Sequence, residues 1–160
     1  MSNFRLSPVD TDQDYDACFE VMRELRPHLT DVAAFAAQAR RQARQGYCLL
    51  AAWQNNKVMG LAGYRTQENL MYGKFMYVDD LVTTREARSQ GIGAKLIDAT
   101  RKKAQELGCA WFVLDTAAEN ALGQRFYYRQ GLLGLGIHFN QQLQPLSKDS
   151  LIDTIQSKCE

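Results

Sequence analysis

The sequence predicts an α/β domain with a mixed, mostly antiparallel central sheet flanked by helices. Two observations favour this fold class: apolar residues with helical spacing alternate along the chain with short strand-like runs, and turn or cap residues separate them. A third is the length of 160 residues, which suits one domain with a single core. We expect one domain over residues 1–160, with residues 145–160 as a helical extension, in the order β-α-α-β-β-β-α-β-α-β.

The N-terminal part of the chain predicts one strand and two helices. Residues 4–9 (FRLSPV) indicate a short strand, and Pro27 ends the first helix. Thr30 is the expected N-cap of a second helix that ends at Gly46. The first helix is predicted from apolar residues at helical spacing: Tyr15, Cys18, Phe19, Met22 and Leu25.

Three strands are predicted in the middle of the chain. The runs YCLLAAWQ (residues 47–54) and VMGLAGYRT (58–66) are joined by Asn55 and Asn56, which favours a hairpin. A third extended run covers residues 75–84 and leads into a glycine-rich loop.

The last part of the chain predicts two helices and further strands. One helix ends at Gly108, and its apolar face is expected to carry Ala94, Ile97, Ala104 and Leu107. The apolar run at 109–115 predicts a central strand buried on both faces. A helix at 120–130 is closed by Gly131, and residues 132–143 are expected to form one or two closing strands.

Composition and charge exclude several classes of function. With 19 basic and 18 acidic residues there is no basic surface for nucleic acid or an anionic membrane, so a small molecule or a protein is the expected partner. The longest apolar run is too short to cross a bilayer and the N-terminus lacks a signal-peptide core, so a soluble, cytoplasmic protein is expected. The cysteines have no metal-ligand spacing, which predicts no metal site and buried free thiols: Cys18, Cys48, Cys109 and Cys159. His28 and His138 are expected to be structural.

The loop RSQGIGAKL (residues 88–96) places two glycines immediately before a helix. Backbone N–H groups converge at such a helix N-terminus and favour an anion, and a diphosphate would fit. The loop is neither a dinucleotide fingerprint, because Leu96 stands where a small residue is needed, nor a P-loop. A merely tight turn is the alternative.

Two separate motifs resemble those of the GCN5-related N-acetyltransferase (GNAT) family. Arg88, Gly91 and Gly93 match the pattern [RQ]-x-x-G-x-[GA]. The likeness is strongest over residues 77–132 and departs at Gly123, where the family often has alanine. The second motif, in NALGQRFYYRQGL, comprises Asn120, Gly123, Phe126, Tyr127, Gly131 and Leu132.

The resemblance implies a GNAT-like acyl-CoA acyltransferase fold and acetyl-CoA as cosubstrate, without a metal. It implies that the pantetheine arm pairs with the backbone of Leu81, Val82 and Thr83, and that Asn120 and Tyr127 also lie on the cofactor side. The pyrophosphate would lie on the backbone amides of Arg88, Ser89, Gln90, Gly91, Ile92, Gly93 and Ala94.

The implied reaction is direct attack of a primary amine on the acetyl group through a tetrahedral intermediate. Asp79 and Asp80 are candidate bases, with Asp79 favoured by its distance from the loop and a water chain as the alternative. Strict strand alternation places the two on opposite faces, but the family's β-bulge resets alternation, so the face stays open. Tyr127 would protonate the departing sulfur, and an N–H near Leu81 or Val82 would stabilise the oxyanion.

The acceptor is expected to contact residues 28–35, residues 68–75 and the region of His138, with Tyr64, Tyr72 and Tyr77 as lining aromatics. The sequence leans slightly to a small-molecule amine. A protein lysine or N-terminal amine and a non-catalytic acyl-CoA sensor remain the alternatives. The apolar C-terminal tail is compatible with packing on the body or on a partner subunit in a homodimer.

Overall fold

The computed structural model describes residues 4–145, which form a five-stranded mixed sheet with helices on both faces. The strands are β1 (Arg5–Pro8), β2 (Tyr47–Gln54), β3 (Lys57–Asn69), β4 (Gly73–Thr83) and β5 (Trp111–Leu114). The helices are α1 (Asp12–Leu25), α2 (Val32–Ala43), α3 (Ile92–Glu106) and α4 (Ala121–Arg129), with one short 3-10 turn at Arg85–Ala87.

The strands lie in chain order across the sheet. Every pair from β1 to β4 is antiparallel, whereas β4 and β5 are parallel, so the predicted mixed, mostly antiparallel sheet is confirmed. Helices α1 and α2 cover one face through a cluster that includes Phe19, Phe35 and Leu61. The opposite face packs on the start of α3 through Ile92 and Leu96.

Local sequence signals account for most of the element boundaries. Thr11 and Asp14 form a reciprocal capping box at the start of α1. Asn55 and Asn56 both adopt positive φ (50° and 61°), as the two-residue turn of a hairpin requires. Gly131 has φ 79° after α4, as predicted for a left-handed cap.

Two details of the helices differ from the prediction. Asp31, not Thr30, caps α2, because its carboxylate accepts from the backbone N–H of Ala34 at 2.6 Å. The buried face of α3 carries Ile97 and Ala104 as predicted, but Leu107 lies beyond the last turn and is exposed. Ile92, Leu96 and Thr100 complete that face instead of Ala94.

The predicted central position of the fifth strand is wrong. Among the described residues β5 pairs only with β4, and its first residue, Trp111, is 45% exposed. A short continuous apolar run is compatible with an edge strand as well as a central one, and a central strand here needed a further strand beside it. Trp111 packs instead against the Tyr72 ring, with centroids 5.4 Å apart.

That further strand is absent from the described part of the chain. Residues 132–145 contain neither helix nor strand, so the predicted closing strands are wrong over that range. Gly134 and Gly136 weaken strand formation there, and apolar side chains such as Ile137 and Phe139 are more than 80% exposed. The predicted C-terminal helix and Cys159 lie outside the described residues.

The cysteine prediction holds only in part. Cys18 is a buried free thiol, but Cys48 is exposed and Cys109 is half-buried. The described residues contain no group of three or more potential metal ligands. Within residues 4–145, no helix has both the length and the apolar character needed to cross a membrane.

Candidate active site

Strand β4 carries a bulge at the two candidate carboxylates. Asp80 lies opposite Gly63 and Val78 lies opposite Tyr64, so Asp79 is the extra residue on β4. The bulge breaks the alternation that would otherwise send the two side chains to opposite faces. Asp79 and Asp80 therefore line the same cavity, on the face of the sheet that α1 and α2 cover.

This cavity has a volume of about 330 Å³ and lies between the sheet and the first two helices. Its polar lining comes mostly from the strands and their ends, with further polar groups from the end of α1 and from α2, and it includes three carboxylates and two guanidinium groups. Its apolar wall comes from the helices and the loop between them. The polar set is Arg26, Tyr47, Arg65, Tyr77, Asp79, Asp80 and Asp115, with Gln38 and Gln42, and the apolar set is Met22, Leu29, Phe35 and Ala39.

Asp80 is held by two strong donors. Arg26, at the C-cap of α1, donates from Nε to Asp80 Oδ1 at 2.9 Å, and the Tyr47 hydroxyl donates to Oδ2 at 2.8 Å. A second Arg26 donor, Nη2, reaches the Asp79 carbonyl oxygen at 2.9 Å. Burial, together with the Asp80 carboxylate, raises the pKa of Tyr47 well above its usual value, so this hydroxyl stays protonated.

The absence of a side chain at Gly63 makes this arrangement possible. Gly63 lies directly across from Asp80, and a Cβ there would overlap the hydroxyl of Tyr47. The Tyr47 side chain can therefore cross β3 and reach the carboxylate on β4. Only glycine fits at a position where another side chain passes so close to the backbone.

Asp79 has fewer partners than Asp80. Its Oδ2 accepts from Arg65 Nε at 2.9 Å, and the two side chains are 26% and 17% exposed. Burial raises the pKa of Asp79 above that of a free aspartate, and the Arg65 guanidinium opposes this rise only in part. Asp79 thus accepts a proton more readily than a free aspartate does, and one of its oxygens accepts no hydrogen bond within residues 4–145.

The other edge of β4 is open beside the same bulge. β3 pairs with β4 along its whole length, but β5 pairs with it only from Phe75 to Val78. From Asp79 to Thr83 this edge has no strand beside it among the described residues. The predicted pantetheine residues Leu81, Val82 and Thr83 lie in this open stretch.

The glycine loop follows directly and presents unused backbone donors. Ser89 and Gly91 adopt positive φ (65° and 80°), which turns the chain sharply into α3. The N–H groups of residues 91–94 donate to no acceptor within residues 4–145. Four free N–H groups at the N-terminus of a 15-residue helix form a site suited to an anion.

Helix α4 lies against this loop. The Phe126 ring packs on Gly93, where a Cβ would come within 3.2 Å of it. Asn120 caps α4 by accepting from the Gly123 N–H at 3.0 Å, and a Cβ at Gly123 would collide with the Asn120 side chain. Glycine at position 123, where the family often has alanine, therefore leaves room for the Asn120 side chain to cap the helix.

Tyr127 is half-buried next to Phe126, the two rings meeting edge to face at 5.4 Å. Burial raises the pKa of its hydroxyl, and the negative charge of Asp115 adds to the effect. The hydroxyl is therefore protonated at neutral pH, as a proton donor must be.

The predicted acceptor wall lies in the cavity only in part. Leu29, Phe35 and Tyr77 line it, whereas Tyr64 and residues 68–75, which include Tyr72, do not. His138 reaches its edge: Nδ1 lies 3.0 Å from Asp115 Oδ2, and Asp115 also accepts a hydrogen bond from the Tyr77 hydroxyl.

Sequence reasoning missed Arg26, Arg65, Tyr47 and Asp115. A signal for Arg65 exists, because strand alternation places it with Leu61 and Gly63 on the inward face, where a charged residue is uncommon. Arg26 and Asp115 follow the ends of regular elements and carry no comparable signal.

Comparison with known proteins identifies the class that this fold and glycine loop define. The acetyltransferase (GNAT) family model matches residues 10–132, more than half of the chain. The chain therefore belongs to the GNAT family, as the two motifs predicted. It is 24% identical over 123 residues to the uncharacterized N-acetyltransferase YhdJ of Bacillus subtilis (strain 168), covering 76% of this chain and 86% of that protein.

Solved structures share the fold. The aminoglycoside N-acetyltransferase AAC(6')-Iy in complex with CoA superposes with a TM-score of 0.78 at 15% identity, covering 90% of this chain and 97% of that one. The ribosomal-protein-alanine N-acetyltransferase from Brucella melitensis biovar Abortus 2308 gives 0.76 at 14% identity, covering 89% and 100%. At such low identity these likenesses show the fold and not the acceptor.

Proposed function

We propose that this protein transfers an acetyl group from acetyl-CoA to the primary amine of a small molecule. The observation that carries the proposal is the position of the β4 bulge. Among residues 4–145, the strand edge beside it is open and leads to a loop of unpaired N–H groups, while the sheet face under α1 and α2 carries a cavity lined by carboxylates. A donor could thus approach the bulge along the strand edge, and an acceptor could approach it from the covered face of the sheet.

The cosubstrate side fits a thioester that carries a diphosphate. The free N–H groups of residues 91–94 would bind the pyrophosphate, with Arg88, Ser89 and Gln90 completing the loop. The open edge of β4 at Leu81, Val82 and Thr83 would pair with the amide groups of the pantetheine arm. The family relative whose structure contains CoA supports this assignment by its fold.

Asp79 is the proposed general base. It lies in the cavity at the bulge, its pKa is raised, and Arg65 occupies only one of its oxygens. Asp80 is a weaker candidate because Arg26 and Tyr47 already donate to both of its oxygens. We assign Asp80 to holding the bulged strand in place.

Tyr127 is the proposed general acid. The amine nitrogen forms a bond to the carbonyl carbon, the carbon–sulfur bond breaks, and the Tyr127 hydroxyl gives its proton to the sulfur. Asp79 takes the proton that the amine loses. After the reaction, solvent removes this proton from Asp79 and supplies one to Tyr127. A backbone N–H at Leu81 or Val82 would stabilise the negative oxygen formed on the way.

The cavity supports a small-molecule acceptor. Its volume of about 330 Å³ falls in the range of small-molecule sites, and α1 and α2 enclose it on the side away from the sheet. A protein lysine, a protein N-terminus and a catalytically silent acyl-CoA sensor are the competing functions that the experiment must separate.

The test combines titration calorimetry with acetyl-CoA and a thiol-release screen over small primary amines and peptides. We expect binding, and release that some small amine accelerates. Gly93→Val should weaken acetyl-CoA binding at least tenfold, because the added side chain presses on Phe126 and the loop. Gly136→Val is the matched control, since nothing lies within 4 Å of its Cβ position.

The outcomes are distinct. Binding with release by peptides only would replace the small-molecule acceptor with a protein. Binding without release by any amine would make the protein a sensor. Absence of binding in the unmodified protein, or equal loss in both glycine variants, would refute the assignment of the loop.

A further inference from the structure

Arg65 is fixed in the acceptor cavity by contacts that use only part of its guanidinium group. Its Nε donates to Asp79 Oδ2 at 2.9 Å, and the guanidinium carbon lies 5.4 Å from the centroid of the Tyr47 ring. The side chain is 17% exposed. These contacts hold Arg65 beside Asp79 and Tyr47, and its side chain has little contact with bulk water.

The terminal amino groups of Arg65, Nη1 and Nη2, donate to no acceptor within residues 4–145. Arg26 differs, because its Nε and Nη2 are both engaged and its side chain is 40% exposed. A guanidinium fork that is nearly buried and lacks acceptors favours a planar anion, above all a carboxylate.

None of the carboxylates of the cavity accepts a hydrogen bond from Nη1 or Nη2 of Arg65, and each has other donors. Asp79 pairs with Arg65 Nε, and Asp80 pairs with Arg26 and Tyr47. Asp115 accepts from Tyr77 and lies beside His138. Arg65 therefore lines the cavity with two terminal amino groups that no acceptor within residues 4–145 occupies.

The position of Arg65 fixes where an acceptor carboxylate would lie. Arg65 contacts the proposed base directly, so an anion on its fork would be next to an amine that gives its proton to Asp79. An amine and a carboxylate attached to the same carbon are the defining groups of an α-amino acid. Met22, Leu29 and Phe35 would contact the remainder of such a molecule.

We propose that the acceptor is an amino acid with a free carboxylate beside its primary amine, and that Arg65 selects it. This inference rests on the proposed function, because it places the amine at Asp79. It goes further by naming the acceptor class and a specificity-determining residue.

The experiment compares matched acceptors that differ only at the carboxylate. For each of several apolar and polar L-amino acids, thiol release is measured with the amino acid, its carboxamide and its decarboxylated amine. The wild-type protein should prefer the amino acid by at least tenfold in kcat/KM. Arg65→Gln should abolish that preference, mainly by raising KM for the amino acid, and Arg65→Lys should retain part of it.

The ratio of kcat/KM between matched acceptors separates a loss of specificity from a general loss of activity. Any disturbance of Asp79 by the Arg65 substitution slows all three acceptors and cancels in the ratio. Arg23→Gln is the control, because the contacts of Arg23 among the described residues are an exposed ion pair with Glu20 and the Phe19 ring, both on α1 and outside the cavity. It should keep the wild-type preference, and melting curves establish that each variant is folded.

Release that is equally fast with the carboxamides or the decarboxylated amines would overturn the inference and leave the proposed function standing. Absence of release with every amine would overturn the proposed function. In that case calorimetry with the CoA-bound protein still tests the carboxylate site: amino acids that bind the wild type and Arg65→Gln equally would refute it.

Discussion

The Tyr127 hydroxyl has the protonation state that an acid requires, because burial and Asp115 both raise its pKa. Tyr127→Phe should lower kcat about 10²-fold while leaving acetyl-CoA affinity within about twofold, since the ring and its contact with Phe126 are retained. Single-turnover thiol release and calorimetry measure the two quantities. Tyr128→Phe, at an exposed neighbouring position, is the control. A collapse of affinity in Tyr127→Phe would make Tyr127 a binding or packing residue.

The raised pKa of Asp79 and its proposed role as base together predict how the reaction rate depends on pH. Because its pKa is raised, the carboxylate gains a proton at a higher pH than a free aspartate does, and the rate should fall as the pH drops through that value. A base is needed most where the amine is protonated. The loss in Asp79→Asn should therefore be greatest at low pH and smallest near the pKa of the amine, which is about 10 for an alkylamine.

The measurement is kcat/KM from about pH 5 to about pH 10 for the wild type, Asp79→Asn and the control Asp98→Asn, whose residue lies on α3 and pairs with Arg101. The ratio of wild type to Asp79→Asn should rise toward acid pH, and the ratio to the control should stay near one. A flat ratio for Asp79→Asn would transfer the base to Asp80 or to a water chain.

The helices and inner strands could be predicted from the sequence because their signals are local. Periodicity and caps mark α1, two asparagines mark the β2–β3 turn, and Gly131 marks the end of α4. The edge position of β5 and the irregular residues 132–145 could not be predicted, since they depend on which strands lie beside one another. Apolar character alone does not specify a neighbour.

Only the part of the candidate site that belongs to sequence motifs could be predicted from the sequence. The sequence indicated the glycine loop, Tyr127 and the Asp79/Asp80 pair, but not which face the two aspartates share. That face depends on one extra residue in β4 opposite Gly63, which only strand register shows. Arg26 reaches the site across 54 positions of sequence, and no local pattern reports such a contact.

Arg26 also joins the two layers of the molecule that enclose the acceptor cavity. It lies at the end of α1 and donates to Asp80 and to the Asp79 carbonyl on β4. Asp80 is only 14% exposed, so Arg26→Met would leave a largely buried carboxylate whose remaining donor within residues 4–145 is the Tyr47 hydroxyl. We expect the free energy of unfolding to fall by about 1–3 kcal/mol, because an under-satisfied buried charge is costly while Arg26 itself is partly solvated.

Urea unfolding of Arg26→Met, Asp80→Asn and the double variant measures this link between the helix and the sheet. If the ion pair connects the layers, the double variant loses less than the sum of the single losses, with a coupling of about 0.5–3 kcal/mol. Arg23→Met, on the same helix but in an exposed pair with Glu20, should change stability by less than about 0.5 kcal/mol. Additive losses, or an Arg26→Met loss as small as that of Arg23→Met, would mean that apolar packing alone holds α1 on the sheet.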